Sequence, residues 1–372
     1  MAENYLGESM PKLGFGYMRL PKTESDEFDY ELINEMVDKF IGSGFSYFDT
    51  AHMYSGSEET MKKTLVERYP REKFHIATKL PIAVIPSSDD MQRYFDESLS
   101  RTGAGYFDFY LIHSMSATLA EKAEKFGAWE FISKMKEKGL VRHIGFSYHG
   151  TADVLDGILT RHPEAEFVQL QINYVDWESE AVQSRLCYEV ARKHNKPVTI
   201  MEPAKGGALA NPPDETVDLF KKANPSASCA SWALRFAASH DGLIAVLSGM
   251  NSVEQMIDNI ETFKNFKPIS SDELEVLGKA VDIYKNIPRI PCTECRYCVD
   301  GCPQNIKIPE LIKIYNEYLV YKTLALGQFR YIMSTSDNNK ASSCVQCKAC
   351  EEHCPQNIEI TDTLCKIAAI YE

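Results

Sequence analysis

Residues 107–113 read Phe-Asp-Phe-Tyr-Leu-Ile-His and residues 143–147 read His-Ile-Gly-Phe-Ser, with the helical pattern Trp129–Lys138 between them. A short apolar run, a helix of about ten residues and a second apolar run make the repeating unit of a parallel sheet. The same alternation extends outward from residue 10 to residue 270. It predicts eight strands: Leu13–Gly16, Phe45–Asp49, Phe74–Lys79, Phe107–His113, His143–Ser147, Phe167–Asn173, Val198–Glu202 and Leu243–Ser248. Helical patterns follow them at Tyr30–Ile41, Glu58–Tyr69, Met91–Arg101, Trp129–Lys138, Ala152–Arg161, Glu180–His194, Ser228–Ser239 and Val253–Phe266. Eight such units predict an α/β fold of the (β/α)8 TIM-barrel type, because parallel strands need both faces covered and closure removes the edges. A doubly wound open sheet is the alternative. It is weakened by the absence of a GxGxxG turn after the first strand, where a dinucleotide would sit.

A further helix over Ser271–Asn286 leads into Ile287-Pro-Arg-Ile-Pro291, and proline at that density marks a boundary. The expected domains are residues 1–287, the barrel, and residues 288–372, a small and mainly helical unit. The 372 residues, 44% hydrophobic and 25% charged, suit a core-forming chain rather than a disordered one. A net charge of −13 argues against binding nucleic acid or an anionic membrane, since both need a positive field. No apolar run approaches a membrane span and the first residues lack a secretory pattern, so a cytoplasmic location is expected.

The cysteines are distributed unevenly. Of eleven, only Cys187 and Cys229 precede residue 290. Cys292, Cys295, Cys298 and Cys302 precede Pro303, and Cys344, Cys347, Cys350 and Cys354 precede Pro355; both runs are C-x2-C-x2-C-x3-C-P. The second run repeats the first 52 positions later, with Cys-Pro-Gln-Asn-Ile in both. This spacing is the two-cluster iron–sulfur pattern, in which the fourth cysteine of each run ligates the other cluster. Two [4Fe–4S] clusters are therefore expected, one on Cys292, Cys295, Cys298 and Cys354, the other on Cys344, Cys347, Cys350 and Cys302. Structural zinc prefers two separated CxxC pairs and is the weaker reading. The tail resembles the two-cluster ferredoxins, in an α-helical variant, because 41 residues separate Cys302 from Cys344 and Pro309–Phe329 reads as a helix. Cys187, Cys229 and Cys365 fall on apolar helix faces and read as buried, inert thiols.

Chemistry in such barrels sits at the C-terminal ends of the strands. These ends carry Asp49 with Tyr54 in the following loop, then Lys79, His113, Ser147, Gln171 with Asn173, and Glu202. A lysine near a tyrosine favours phenolate and lowers the phenol's pKa, and an aspartate beside that lysine fixes the ammonium. Tyr54 is thus a candidate acid, and His113 can donate to a carbonyl oxygen as charge develops there. Lys205-Gly206-Gly207, and the loop from Gly249 to Ser252, lie where barrels bind phosphate. Tyr17, Met18, Tyr148 and Trp177 are expected to border an apolar or aromatic ligand. His52, His75, His143, His149 and His194 read as structural.

Residues 10–285 resemble the aldo-keto reductases through Gly14-Phe-Gly16, Phe48-Asp-Thr-Ala-His-Met-Tyr54, Ala77-Thr-Lys79, Leu111-Ile-His113 and Lys138-Gly-Leu-Val-Arg-His-Ile-Gly-Phe-Ser147. The resemblance implies a catalytic tetrad of Asp49, Tyr54, Lys79 and His113, with Tyr54 protonating the carbonyl oxygen after hydride transfer from NADP(H) or NAD(H). It implies that Ser147 and Gln171 hold the nicotinamide carboxamide and that Asp258 and Asn259 meet the adenine end. Three positions depart from the family: Tyr148 stands where asparagine is usual, Met201 must replace a stacking aromatic, and residues 248–255 lack a Lys or Arg for a 2′-phosphate.

A nicotinamide gives two electrons as hydride and iron–sulfur clusters pass them singly. The leading expectation is a reductase of a small-molecule carbonyl whose clusters exchange electrons with a redox partner or serve structure. The alternatives are a reductase holding a flavin fed by the clusters, and an electron-transfer or docking protein with an inactive barrel, as among the potassium-channel β-subunit relatives.

Overall fold

Strands β1 (Leu13–Gly16), β2 (Tyr47–Asp49), β3 (His75–Leu80), β4 (Phe107–Met115), β5 (Val141–Tyr148), β6 (Phe167–Gln171), β7 (Val198–Met201) and β8 (Leu243–Ser248) pair in chain order, and β8 returns to β1. This closed parallel barrel is seen in a computed structural model, which describes residues 3–6, 8–299, 301–336 and 338–372. The chain separates into two compact units. One runs to Lys205 and resumes over Ser226–Leu274; the other comprises Gly206–Pro225 and Glu275–Glu372. The sequence boundary at 287/288 falls inside the second unit.

The barrel interior is filled by Tyr47, Ala77, Phe109, Leu111, Phe167, Ala245 and Leu247. Leu6 and Met10 pack on the same cluster from a short antiparallel ribbon, Glu3–Tyr5 paired with Glu8–Met10, which the sequence reading did not include. Gly145 is fixed by close approach, because a Cβ there would lie 2.5 Å from the Phe167 carbonyl oxygen of the neighbouring strand. Such a site accepts no side chain without separating β5 from β6.

Most expected helices form within a few residues of their predicted ends, and the differences have local causes. The pattern at Glu58–Tyr69 becomes a short α-helix, Ser57–Met61, followed by a π-wound turn, Lys62–Val66. The helix expected from Glu180 begins at Ser184, because Gln183 is left-handed with φ of 54°. Helices given no range in the sequence reading include Ala117–Phe126 in the first unit and Asp214–Ala223 and Ile360–Tyr371 in the second. The first is capped by Ser116, whose hydroxyl accepts from the Leu119 N–H, and ends at left-handed Gly127.

In the second unit the helix expected over Pro309–Phe329 is two helices, Ile308–Tyr321 and Leu324–Ser334. Lys322 between them adopts φ of 50° and its N–H closes on the Tyr318 carbonyl, which stops the first helix. These pack with Ile360–Tyr371 around buried Ile306, Ile308, Leu311, Ile312, Ile360, Leu364 and Ile367. The sequence duplication is visible here: Ile308 and Ile360, 52 positions apart, each begin a helix and each are 1% exposed. Among the described residues no helix is long and apolar enough to cross a membrane.

Candidate active site and cysteine cavities

Three strand ends and one turn assemble the barrel mouth. Asp49 closes β2 and Lys79 lies on β3; they are 4% and 1% exposed. The Lys79 ammonium donates to Asp49 Oδ1 at 2.7 Å and to the Thr50 carbonyl at 2.7 Å. Tyr54 sits in the turn leading to Ser57–Met61, with the Tyr54 N–H on the Ala51 carbonyl and the Ser57 N–H on the Tyr54 carbonyl. Ser57 fixes that turn to the first βα loop by donating to the Tyr17 carbonyl at 3.0 Å, while its hydroxyl meets that of Thr50 at 2.7 Å. Lys79 Nζ stands 4.9 Å from the centre of the Tyr54 ring. The His113 ring meets that of Tyr54 edge-on, with centroids 5.9 Å apart. The four residues of the expected tetrad are thus in one place.

Their electrostatics differ from the sequence expectation in one respect. Burial raises the Tyr54 phenol above its ordinary value; Lys79 opposes that shift but does not reverse it. The lowered phenol expected from Lys79 alone is corrected, because desolvating the phenolate costs more than one adjacent cation returns. Burial also works against the charge on Lys79, yet Asp49 and Tyr54 outweigh it and hold the ammonium above its usual value. Burial pushes the Asp49 carboxyl up, against the pull of Lys79. His113 is driven down to about 3, by burial first and then by Lys79, and is therefore a neutral imidazole at any ordinary pH. A register shift between Ile112 and Met115, with Ser114 at φ of 57°, reshapes the end of β4 around it.

Ser147 is 2% exposed and its hydroxyl accepts from the Ser114 N–H at 2.7 Å. Gln171 donates to Asp176 Oδ2 at 2.8 Å, as does Asn173, and Lys205 contacts both Asp176 oxygens at 2.8 Å. Asp176, not singled out in the sequence, is the hub that fixes three candidate residues; its only sequence signal is its place just after Gln171-Ile-Asn-Tyr. Met201 ends β7, and Gly206, at φ of 63°, follows Lys205. Asn259 is buried and donates to Ser248 Oγ at 2.7 Å, and Asp258 accepts from the Ser228 hydroxyl at 2.7 Å. Gly249 lies beside Arg19, whose guanidinium is about 4.0 Å from where a Gly249 Cβ would stand. Arg19 also lowers the Tyr54 phenol by its charge, which makes it a cation of the mouth that sequence reading overlooked.

Of the residues expected to border a ligand, Met18 is 55% exposed, whereas Tyr17 and Tyr148 are buried. Their hydroxyls are occupied, Tyr17 with Thr64 at 3.1 Å and Tyr148 with the Thr151 carbonyl at 2.6 Å. Trp177 packs edge-on against Phe236 and His240. Among the histidines read as structural, His52 meets Glu97, His75 meets Ser46, His143 meets Glu166 and His194 meets Asp156.

In the second unit the eight cysteines line two hollows. One is walled by Cys292, Cys295, Cys298 and Cys354, the other by Cys302, Cys344, Cys347 and Cys350. Each takes three thiols from one run and the fourth from the other. The backbone repeats with the sequence. Glu294 and Gln346, Arg296 and Lys348, and Asn305 and Asn357 are all left-handed, each pair 52 positions apart. These left-handed residues curl the two runs in the same way. Cys187 is buried as expected, Cys229 is half-buried, and Cys365 is exposed beside Gln346, so the buried reading of Cys365 is corrected.

Comparison with known proteins agrees with both halves. Residues 12–282 match the model of the "Aldo/keto reductase family" and residues 291–359 that of a "4Fe-4S dicluster domain". An aldo-keto reductase of Mycobacterium avium is 26% identical over 255 residues, covering 68% of this chain and 81% of that protein. An NAD/NADP-dependent indole-3-acetaldehyde reductase of Schizosaccharomyces pombe is 27% identical over 143 residues, 38% of this chain and 49% of its own. Among solved structures, an aldo-keto reductase from Klebsiella pneumoniae in complex with NADPH superposes with TM-score 0.59 at 20% identity, over 75% of this chain and 95% of that one. One from Bacillus halodurans in its holo form gives 0.60 at 21%, with the same coverage.

Proposed function

The chain belongs to the aldo/keto reductase family, is joined to a 4Fe-4S dicluster domain and is an oxidoreductase; we propose that it reduces the carbonyl of a small-molecule aldehyde or ketone, with Tyr54 as the proton donor. The observation that carries this reading is the buried Asp49–Lys79 pair, 2.7 Å apart, set against the Tyr54 ring with His113 edge-on to it.

The nicotinamide of NADP(H) or NAD(H) supplies the hydride when bound, and the NADPH-bound Klebsiella relative supports that class of cofactor. Tyr54 gives its proton to the carbonyl oxygen. The raised phenol stays protonated at neutral pH, which keeps the donor loaded. Lys79 faces the phenolate as it forms, and Asp49 keeps Lys79 charged and aimed. His113 is neutral, so it offers an N–H to the carbonyl oxygen without adding a second positive charge beside Lys79. Ser147 and Gln171 are assigned to the carboxamide and Met201 to the ring face. Lys205, Gly206 and Gly249 are assigned to the phosphates, and Asp258 with Asn259 to the adenine end.

Residues 1–287 are assigned as the catalytic barrel and residues 288–372 as the cluster domain. Two sets of four thiols, each lining one hollow with residues such as Ile306, Leu364 and Ile358, suit [4Fe–4S] groups by their donor chemistry. Cys292, Cys295, Cys298 and Cys354 would hold one and Cys302, Cys344, Cys347 and Cys350 the other. Such clusters supply one-electron transfer, which suits exchange with a redox partner protein better than direct exchange with hydride. The test is a single turnover with nicotinamide deuterated at the transferring position, against a panel of aldehydes and ketones. Deuterium on the carbinol carbon of a product supports the proposal. Oxidation of the nicotinamide with no labelled alcohol in any case counts against it.

A further inference from the structure

One layer below the Asp49–Lys79 pair, the barrel interior is polar where a TIM barrel is ordinarily filled with branched apolar side chains. Tyr47, Gln169 and Thr199 point inward from β2, β6 and β7, and are 1%, 2% and 0% exposed. Gln169 and Thr199 are register partners, and Tyr47 stands two residues before Asp49 on the same face of β2. Among the described residues, the Tyr47 hydroxyl, Asp49 Oδ2, Gln169 Oε1 and the Thr199 hydroxyl all lack a hydrogen-bond partner, although all are buried. Thr199 approaches the Tyr47 hydroxyl and Gln169 approaches Asp49, closely enough to perturb both. Four orphaned polar atoms from three strands, three in this layer and Asp49 Oδ2 next above it, are costly, at about 1–3 kcal/mol each if left unpaired. Gly14 lets β1 approach the Tyr47 ring closely, since a Cβ there would lie 3.1 Å from the ring and 2.7 Å from Leu247.

We propose that Tyr47, Gln169 and Thr199 hold buried water against Asp49 Oδ2, and that this hydrated floor positions the Asp49–Lys79 pair and thereby tunes Tyr54. One internal water needs two to four polar partners, and these atoms supply both kinds. The two hydroxyls donate, whereas Asp49 Oδ2 and Gln169 Oε1 accept the water's protons. The water then satisfies the carboxylate oxygen that Lys79 leaves free, since Lys79 engages only Oδ1. Tyr47, Gln169 and Thr199 are positioning residues: they act on Asp49, which acts on Lys79. Their influence on Tyr54 rests on the reading of Tyr54 as the acid; the water site itself does not.

The groups facing this layer are few. Asp49 is faced by Lys79 and Gln169, Tyr47 by Asp49, Thr199 and Asp108, and Tyr54 by Lys79, Asp49 and Arg19. Removing the floor makes the carboxylate less stable, draws the shared proton toward Asp49 and weakens the charge on Lys79. Tyr54 then becomes a weaker acid.

The test has two arms on the full chain. A crystal structure resolving solvent should show an ordered water within hydrogen-bond distance of Asp49 Oδ2 and of at least one of Gln169, Thr199 and Tyr47. Direct pairing of these side chains, with no water, overturns the proposal whatever the enzyme's activity. In the second arm, kcat/KM is followed against pH for Gln169→Leu and for the near-isosteric Thr199→Val, with Thr199→Ser as the conservative control. The alkaline limb should move up by about one pH unit in the first two, and stay in place for Thr199→Ser. Limbs unmoved in both, with the water present, refute the tuning role. If the parent reduces no carbonyl, the reading of Tyr54 fails and the crystallographic arm still decides the water.

Discussion

Asp49→Asn removes one charge from a pair that is almost wholly out of water, and the structure fixes how large the consequence is. At 2.7 Å and an effective dielectric of about 20, the attraction between the charges is about 6 kcal/mol. Without it, the Lys79 ammonium is a buried charge 1% exposed, and the less costly outcome is loss of its proton. Holding a lysine neutral at pH 7 against an unfolded pKa of about 10.4 costs about 5 kcal/mol, so a loss of about 3–5 kcal/mol is expected. The sign with pH is definite. In the parent, Lys79 is raised, so its contribution is complete below its unfolded value and is lost only as pH rises through the folded one. In the variant, burial alone depresses Lys79, the unfolded chain binds the extra proton, and stability recovers by about 1.4 kcal/mol per pH unit up to about pH 10. The assay is guanidinium unfolding followed by tryptophan fluorescence at pH 7 and pH 9.5. Trp129, Trp177 and Trp232 all lie in the barrel unit, so the signal reports that unit. The deficit should shrink by about 3 kcal/mol between the two pH values. No deficit at pH 7, or an equal deficit at both, would refute the reasoning.

Four further outcomes are expected. Asp108→Ala should cost about 3–5 kcal/mol in the same assay, because this fully buried carboxylate receives Arg71 at 2.6 Å, Arg142 at 3.0 Å and the Ile76 N–H at 2.8 Å. His113 is held near 3, so its proton uptake opposes folding below pH about 6.5; His113→Gln should flatten the acid side of the stability curve by up to about 1.4 kcal/mol per pH unit, read by unfolding at pH 4, 5 and 6. In the same variant, kcat/KM should fall by about 10²–10³ as the donor to the carbonyl oxygen is altered. Cys298→Ala should lose about half the bound iron in anaerobically reconstituted protein, and full iron content would contradict the assignment of Cys298 as a cluster ligand.

The sequence revealed the barrel because each strand is a short apolar run between amphipathic helices, and Asp49, Lys79 and His113 stand where such strands deliver chemistry. It did not reveal the sign of the Tyr54 shift, since Lys79 is visible in the sequence but the desolvation around the hydroxyl is not. The helix Ala117–Phe126 was missed although Ser116 and Gly127 mark both its ends, because its mostly small and charged residues give a weak apolar stripe. Arg19, Gln169 and Thr199 carry no local signal; only closure of the barrel brings them to Gly249, Asp49 and Tyr47. The two cysteine hollows were legible down to the exchange of the fourth cysteine between the runs, because a duplicated spacing constrains both the backbone and the thiols.

The most direct measurement is Tyr54→Phe in the full chain, assayed for carbonyl reduction alongside nicotinamide binding and the iron–sulfur absorbance. The account predicts that reduction is lost while nucleotide affinity and cluster content match the parent, since the change removes one hydroxyl beside Lys79. Turnover unchanged in that variant would contradict it.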